Sequence, residues 1–160
     1  MVGISLVQPL ASLVCGVLPP SVKRRRWVGL RFGSDMAGQT VAIVSSLSEG
    51  LVSWHKVGDS QFDRRSGLPR SLLPFGCVMG SVRVVEVVPR GSERWASAEM
   101  SWLRSAATNS SYADFCWIID DVRLLENPRD FPYPSRPMLF NMAQKISSIL
   151  ESLPSSGIPI

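Results

Sequence analysis

The chain has 160 residues, a hydrophobic fraction of 45% and a formal net charge of +4 at pH 7, which suits one domain with a real core. The charge is uneven: residues 1–70 hold nine Lys/Arg against four Asp/Glu, residues 71–160 hold eight against nine, and five of the basic residues lie from Lys23 to Arg31. That local excess points to an anionic partner, while three widely spaced cysteines and a single histidine, His55, exclude a disulfide framework or a zinc pattern, so no metal or cofactor is expected.

In chain order, residues 2–6 read as a short strand. Gln8-Pro9 then opens a helix, with proline tolerated in the first turn. Leu10, Leu13, Val14 and Val17 recur at helical spacing, and Gly16 is a natural stop. The uncharged stretch 2–20 has no basic n-region, is interrupted by Gln8-Pro9 and lacks a small-x-small cleavage site, so it is expected to be retained rather than removed as a signal. Pro19-Pro20 forces an extended connection into the basic run 23–26, which ends at Trp27. Residues 39–45 carry the β-type run Thr40-Val41-Ala42-Ile43-Val44, a buried strand. Residues 47–57 are expected to form a short helix, with Trp54 among its apolar positions. Residues 58–72 are polar, basic and punctuated by Gly and Pro, which predicts a mobile surface insertion.

Residues 76–88 give the strongest strand signal. Val78, Val82, Val84 and Val88 share one parity, and Gly80 among them marks a bulge or a tight bend. Residues 92–107 read as a helix with Ser92 as N-cap and Trp95, Met100 and Trp102 as bulky contacts. Residues 109–114 are expected to be a loop and 115–125 a strand. The adjacent pair Asp120-Asp121 points to opposite faces of a regular strand, so it reads as a strand-end or edge feature rather than a metal site. The Pro-rich stretch 127–137 is expected to be an extended loop, and 139–142 a closing strand. Ile146, Ile149, Leu150 and Leu153 fall at i, i+3, i+4 and i+7, which predicts an amphipathic helix over 144–153; the tail 154–160 is expected to fray. Strands separated by irregular segments and a few helices make this an α+β chain.

No stretch reaches the length of a transmembrane helix, so no membrane association is expected. Cys15, Cys77 and Cys116 each sit in an apolar run, where a buried, reduced thiol is the expected state. That favours a reducing, intracellular compartment, cytoplasmic or nuclear.

Two signatures stand far apart in the chain. The first is Ser5, Gln8, Pro9, Ala11, Leu13 and Gly16, followed by Arg25 and Trp27. The second is Phe115-Cys116-Trp117, then Asn127-Pro128-Arg129, then Pro132-Tyr133-Pro134, Arg136 and Phe140. Together they resemble the activating-signal-cointegrator homology (ASCH) domain, over roughly residues 2–142. The resemblance implies a PUA-like β-barrel with peripheral helices over residues 1–143, followed by a C-terminal amphipathic helix and tail over 144–160. It implies RNA or a nucleobase-like ligand in a basic cleft, with Lys23, Arg24, Arg25 and Trp27 as binding residues and Arg136 as a further member.

The departures from the pattern bear on chemistry. In amidohydrolase-like relatives a lysine and a carboxylate activate a nucleophile. Here the lysine position falls around Pro19-Pro20 and the glutamate position on Lys23, so the acid–base pair is not matched. In the second signature Pro137 and Met138 stand where glycines are expected, which stiffens that loop. A nucleoside amidohydrolase or ribonuclease remains an alternative reading, as does a protein-interaction subunit using the C-terminal helix. An exposed apolar patch on Ile146, Ile149 and Leu150 would favour the last. Trp27 and Trp54 each stay open between a core position and a base-stacking one.

Overall fold

The computed structural model of the chain describes residues 1–8, 10–15, 26–49, 54–58, 60–63, 70–98, 113–130 and 139–154. They form strands β1 (Val2–Gln8), β2 (Trp27–Leu30), β3 (Thr40–Glu49), β4 (Trp54–Val57), β5 (Ser60–Asp63), β6 (Cys77–Pro89), β7 (Phe115–Asp130) and β8 (Leu139–Asn141), with helices α1 (Leu10–Cys15), α2 (Glu93–Ala96) and α3 (Gln144–Glu151). A mixed sheet in the order β2-β7-β6-β3-β1-β8 curls into a half-barrel, and β4-β5 is a separate ribbon. This is an α+β fold, as the alternation of elements predicted, and its sheet is barrel-like.

β1 runs parallel to β3 and antiparallel to β8, while β6 pairs antiparallel with both β3 and β7. A parallel pair cannot be closed by a tight hairpin, so the chain must cross over between β1 and β3, and α1 lies in that crossover. The main core sits between the sheet and α1. It joins Ile4, Leu6, Val14, Ile43, Met79 and Trp117, with Val28 and Leu30 from β2. The buried face of α1 is Ala11, Val14 and Cys15 with Ser12; Leu10 and Leu13 are only half-buried, a rotation from the predicted face. The small residues lie flat against the sheet, and the larger leucines flank the contact.

A second cluster lies across the sheet. Ala42, Val44 and Val78 pack there under Leu150 and Met142, flanked by Ile146 and Leu153. β3 is thus covered on both sides, which is why residues 41–44 are continuously apolar rather than alternating. Leu150 has no exposed surface. The amphipathic helix was predicted correctly, but its apolar face is taken up by the chain's own sheet, and the exposed patch that would favour a protein-interaction subunit is not there. Arg123 ties the end of the helix down, donating to the Leu153 carbonyl at 3.1 Å.

Several local expectations are overturned by pairing partners that sequence does not display. The described residues of the predicted helix over 47–57 are strand instead: β3 continues to Glu49, still paired with β1 at Gln8, and Trp54 lies on β4. β4 and β5 then pair antiparallel with Gly58 turning between them at φ 64°, so part of the predicted surface insertion is a β-ribbon. α2 begins where predicted but ends at Ala96, because Ser97 is extended (ψ 156°) and its hydroxyl donates to the Arg94 carbonyl at 2.7 Å. Such local hydroxyl bonds compete with helix continuation. The rest of that predicted helix lies outside the described residues. The loop predicted from 127 begins instead as strand, since β7 runs to Asp130 opposite Cys77.

Bulges account for the remaining differences. Along β6 the register with β7 shifts three times, between Val78 and Gly80, Ser81 and Arg83, and Val84 and Glu86, and the register with β3 shifts opposite Val78–Gly80. A residue inserted in β6 reverses its alternation of faces. Val78 therefore faces α3, Val82 and Val84 face α1, and Val88 joins a third cluster, although sequence parity put all four together. Gly80 sits at the predicted bulge, and a Cβ there would run into the carbonyl oxygen of Arg123. Asp120 and Asp121 are not at a strand end. They occupy a bulge of β7 opposite β6, just beyond the stretch of β7 that pairs with β2, and Asp121 is left-handed there at φ 44°. Asp120 pairs with Arg83 and Asp121 with Arg123, each at 3.2 Å.

Candidate functional site

Of the residues expected to bind a ligand, Lys23, Arg24, Arg25 and Arg136 lie outside the described residues, as do Pro19 and Pro20. Trp27 and its neighbour Arg26 can be placed. β2 stands at one end of the six-stranded sheet and pairs with β7 from Trp27–Ile118 to Leu30–Phe115. The pairing starts one residue earlier, since the Ile119 N–H donates to the Arg26 carbonyl at 2.9 Å. Arg26 is therefore held by its backbone while its side chain is exposed.

Burial alternates along β2. Val28 and Leu30 enter the main core, so Trp27 faces the other way. Its ring is half-buried against Val88 and Cys116, the same two residues that Trp95 and Ile118 pack against. Trp27 is thus neither a core residue of the barrel nor a fully exposed platform: one side packs and part of the ring meets solvent. Gly29 follows on the same face, and a Cβ there would come within 2.9 Å of the Ala113 Cβ.

Trp95 reaches this cluster through the cap of α2. The Ser92 hydroxyl accepts from the Trp95 N–H at 3.2 Å and donates to the Pro89 carbonyl at 2.7 Å, clamping the single helical turn onto the end of β6. Beside it the Arg94 guanidinium grips the Glu86 carboxylate with two nitrogens, at 3.1 and 3.2 Å. Beneath the rings lies Cys116. Burial, with a smaller contribution from the Glu86 charge, pushes its thiol from 9.0 up to about 12. At neutral pH it is a neutral thiol, unsuited to act as a nucleophile. Cys15 and Cys77 are also buried and form no disulfide, as expected.

The first signature has a structural explanation. Gln8 is fully buried at the junction of β1 and α1. Its amide nitrogen donates to the Pro74 carbonyl at 2.7 Å, and its amide oxygen accepts from the Ser12 N–H at 3.0 Å. One side chain thereby satisfies an orphan donor of the helix start and pins the segment before β6. Ser5 and Ala11 are buried as well.

Among the described residues, no group of three His, Cys, Asp or Glu comes together to hold a metal ion. His55 falls on β4. What sequence reasoning missed is that Trp95 and Trp27 pack on the same cluster. The Ser92 cap and Trp95 were visible as helix features, but nothing local to them tells that both rings reach Val88 and Cys116. The chain has no match among models of protein families or among curated proteins. The described part of this site is a pair of half-buried tryptophans on an apolar floor, with Arg26 exposed at the start of β2.

Proposed function

We propose that the chain is an ASCH-type, PUA-like module that binds RNA or a nucleobase-like ligand through a basic surface centred on residues 23–31. The observation that carries this reading is the order of residues entering β2: the cationic run 23–26 leads directly into a strand whose first ring, Trp27, remains partly open to solvent. Guanidinium groups neutralise phosphates, and a ring beside them offers a face for a base. Further support comes from the curled, barrel-like sheet and from β1 followed at once by α1, with Gln8 of the first signature buried at their junction. Arg25 and Arg136 enter the reading by resemblance alone. A hydrolytic role is less well supported, because the family's lysine and carboxylate are not matched at Pro19-Pro20 and Lys23.

Affinity for labelled RNA, titrated at several salt concentrations, tests the reading. Each phosphate contact contributes close to one unit to the slope of log affinity against log salt. Replacing Arg24, Arg25 and Arg26 together by Ala should lower that slope by up to about three units. Unchanged affinity and slope in the triple variant, with an intact fold by circular dichroism, would overturn the proposal.

A further inference from the structure

We propose that α3 is a hinged cap that opens from the sheet as a unit while the main core stays closed, with the bond from Arg123 to the Leu153 carbonyl as its latch. The device is independent of the nucleic-acid reading. Three observations converge on it. First, the helix is sparingly bonded to the sheet. Gln144, Ser148 and Ser152 make their side-chain hydrogen bonds inside the helix, and Ala143 at its start supplies no side-chain cap. Among the described residues, the tie from the sheet to the end of this helix is the Arg123 guanidinium. It donates to the Leu153 carbonyl at 3.1 Å and is held in place by the Asp121 carboxylate at 3.2 Å.

Second, the closed interface encloses two hydroxyls without a hydrogen-bond partner, those of Ser81 and Ser147. Ser81 pairs opposite Ala42 of β3 and so shares its face, the one that α3 covers. Ser147 lies one helical turn before Leu150, on the buried side of α3. Both are withdrawn from water without a compensating bond, at 0% and 1% exposure, which penalises the closed state. Third, the two sides of the sheet are separate hydrophobic clusters. Ala42, Val44 and Val78 lie under α3, whereas Val41, Ile43 and Met79 belong to the core that holds α1. Lifting α3 uncovers the first set and leaves the second packed. The backbone can turn at Ala143, which is extended (φ −56°, ψ 139°) between β8 and the first helical turn. Enclosed Leu150 keeps the cap shut in the ground state, so the open form is a minor one.

Local opening and global unfolding differ in two measurable ways. A local opening exposes little surface, so its free energy depends weakly on urea. It also ignores substitutions in a core that it does not break. The test is amide hydrogen exchange of the full chain, followed by NMR at several urea concentrations below the unfolding transition. Relative to their unprotected rates, residues 148–152 of α3 should exchange at least about a hundredfold faster than residues 79–84 of β6, with the weaker urea dependence. Arg123→Met keeps the apolar stem and removes the donors, and should speed α3 exchange by about five- to tenfold. Ser81→Ala removes one enclosed hydroxyl and should slow α3 exchange by about fivefold. Ile43→Val thins the main core alone; it should speed β6 exchange by about three- to tenfold and leave α3 unchanged. One shared rate and urea dependence for α3 and β6, or both moving together in Ile43→Val, would overturn the cap. Arg123→Met without effect on α3, with the fold intact by circular dichroism, would overturn its latch.

Discussion

Gln8 offers the sharpest test of the architecture, because a ligand-binding glutamine and a structural one respond differently to the same change. Gln8→Met conserves length and nearly conserves volume, so packing changes little. It removes the donor to the Pro74 carbonyl at 2.7 Å and the acceptor for the Ser12 N–H at 3.0 Å. Leaving a buried polar group without its partner costs about 1–3 kcal/mol. The Ser12 N–H is fully enclosed and falls within that range, whereas the Pro74 carbonyl is only part-buried and falls at its low end, for a total of about 2–4 kcal/mol. For a chain of this size each kcal/mol moves the midpoint by about 2–4 °C, so Tm should fall by roughly 5–15 °C. Gln8→Glu separates the two bonds. It keeps an acceptor for Ser12 but sets a carboxylate against the Pro74 carbonyl. Burial raises the carboxyl pKa of such a variant in the fold, so the unfolded chain ionises first as pH rises. The deficit relative to wild type should therefore open above about pH 4 and shrink below it, where a protonated carboxyl donates to Pro74. Urea denaturation across pH measures both variants. Gln8→Met within about 0.5 kcal/mol of wild type would refute the account of this junction.

The same logic extends to two other buried groups. Cys116 holds its proton to about pH 12 in the fold, whereas an unfolded thiol releases it near 9.0, so the fold loses stability between those values as pH rises. The loss attributable to this thiol, at most about 1.4 kcal/mol per pH unit, should be missing in Cys116→Ala, and denaturation curves of both chains at pH 8 to 11 compare them. Leu150 is fully enclosed between α3 and the sheet, so Leu150→Ala should cost about 2–5 kcal/mol by urea denaturation. A small cost would mean that the helix face is not committed to the sheet.

Sequence alone determined the features that depend on a residue's immediate neighbours. The strands expected at 2–6, 39–45 and 76–88 follow from dense β-branched runs and form the bodies of β1, β3 and β6, the start of α2 follows from Ser92, and α3 from four apolar residues at helical spacing. The bulge at Gly80 was legible too, because a glycine inside such a run has few other uses. Tertiary structure decided whatever depends on a partner distant in the chain. β3 outran its predicted end because β1 offered Gln8 opposite Glu49, and β7 overran a Pro-rich loop because β6 extended alongside it. Register shifts along β6 sent valines of one parity to three different clusters, since a period of two cannot survive an inserted residue. Of the site, the basic run and Trp27 could be read directly, and the buried duty of Gln8 could not. Trp95 and Trp27 share a floor only because β6 and β7 pair, bringing Val88 opposite Cys116 beneath side chains from separate elements. Local propensity chooses elements; the burial of a shared face chooses which of them meet.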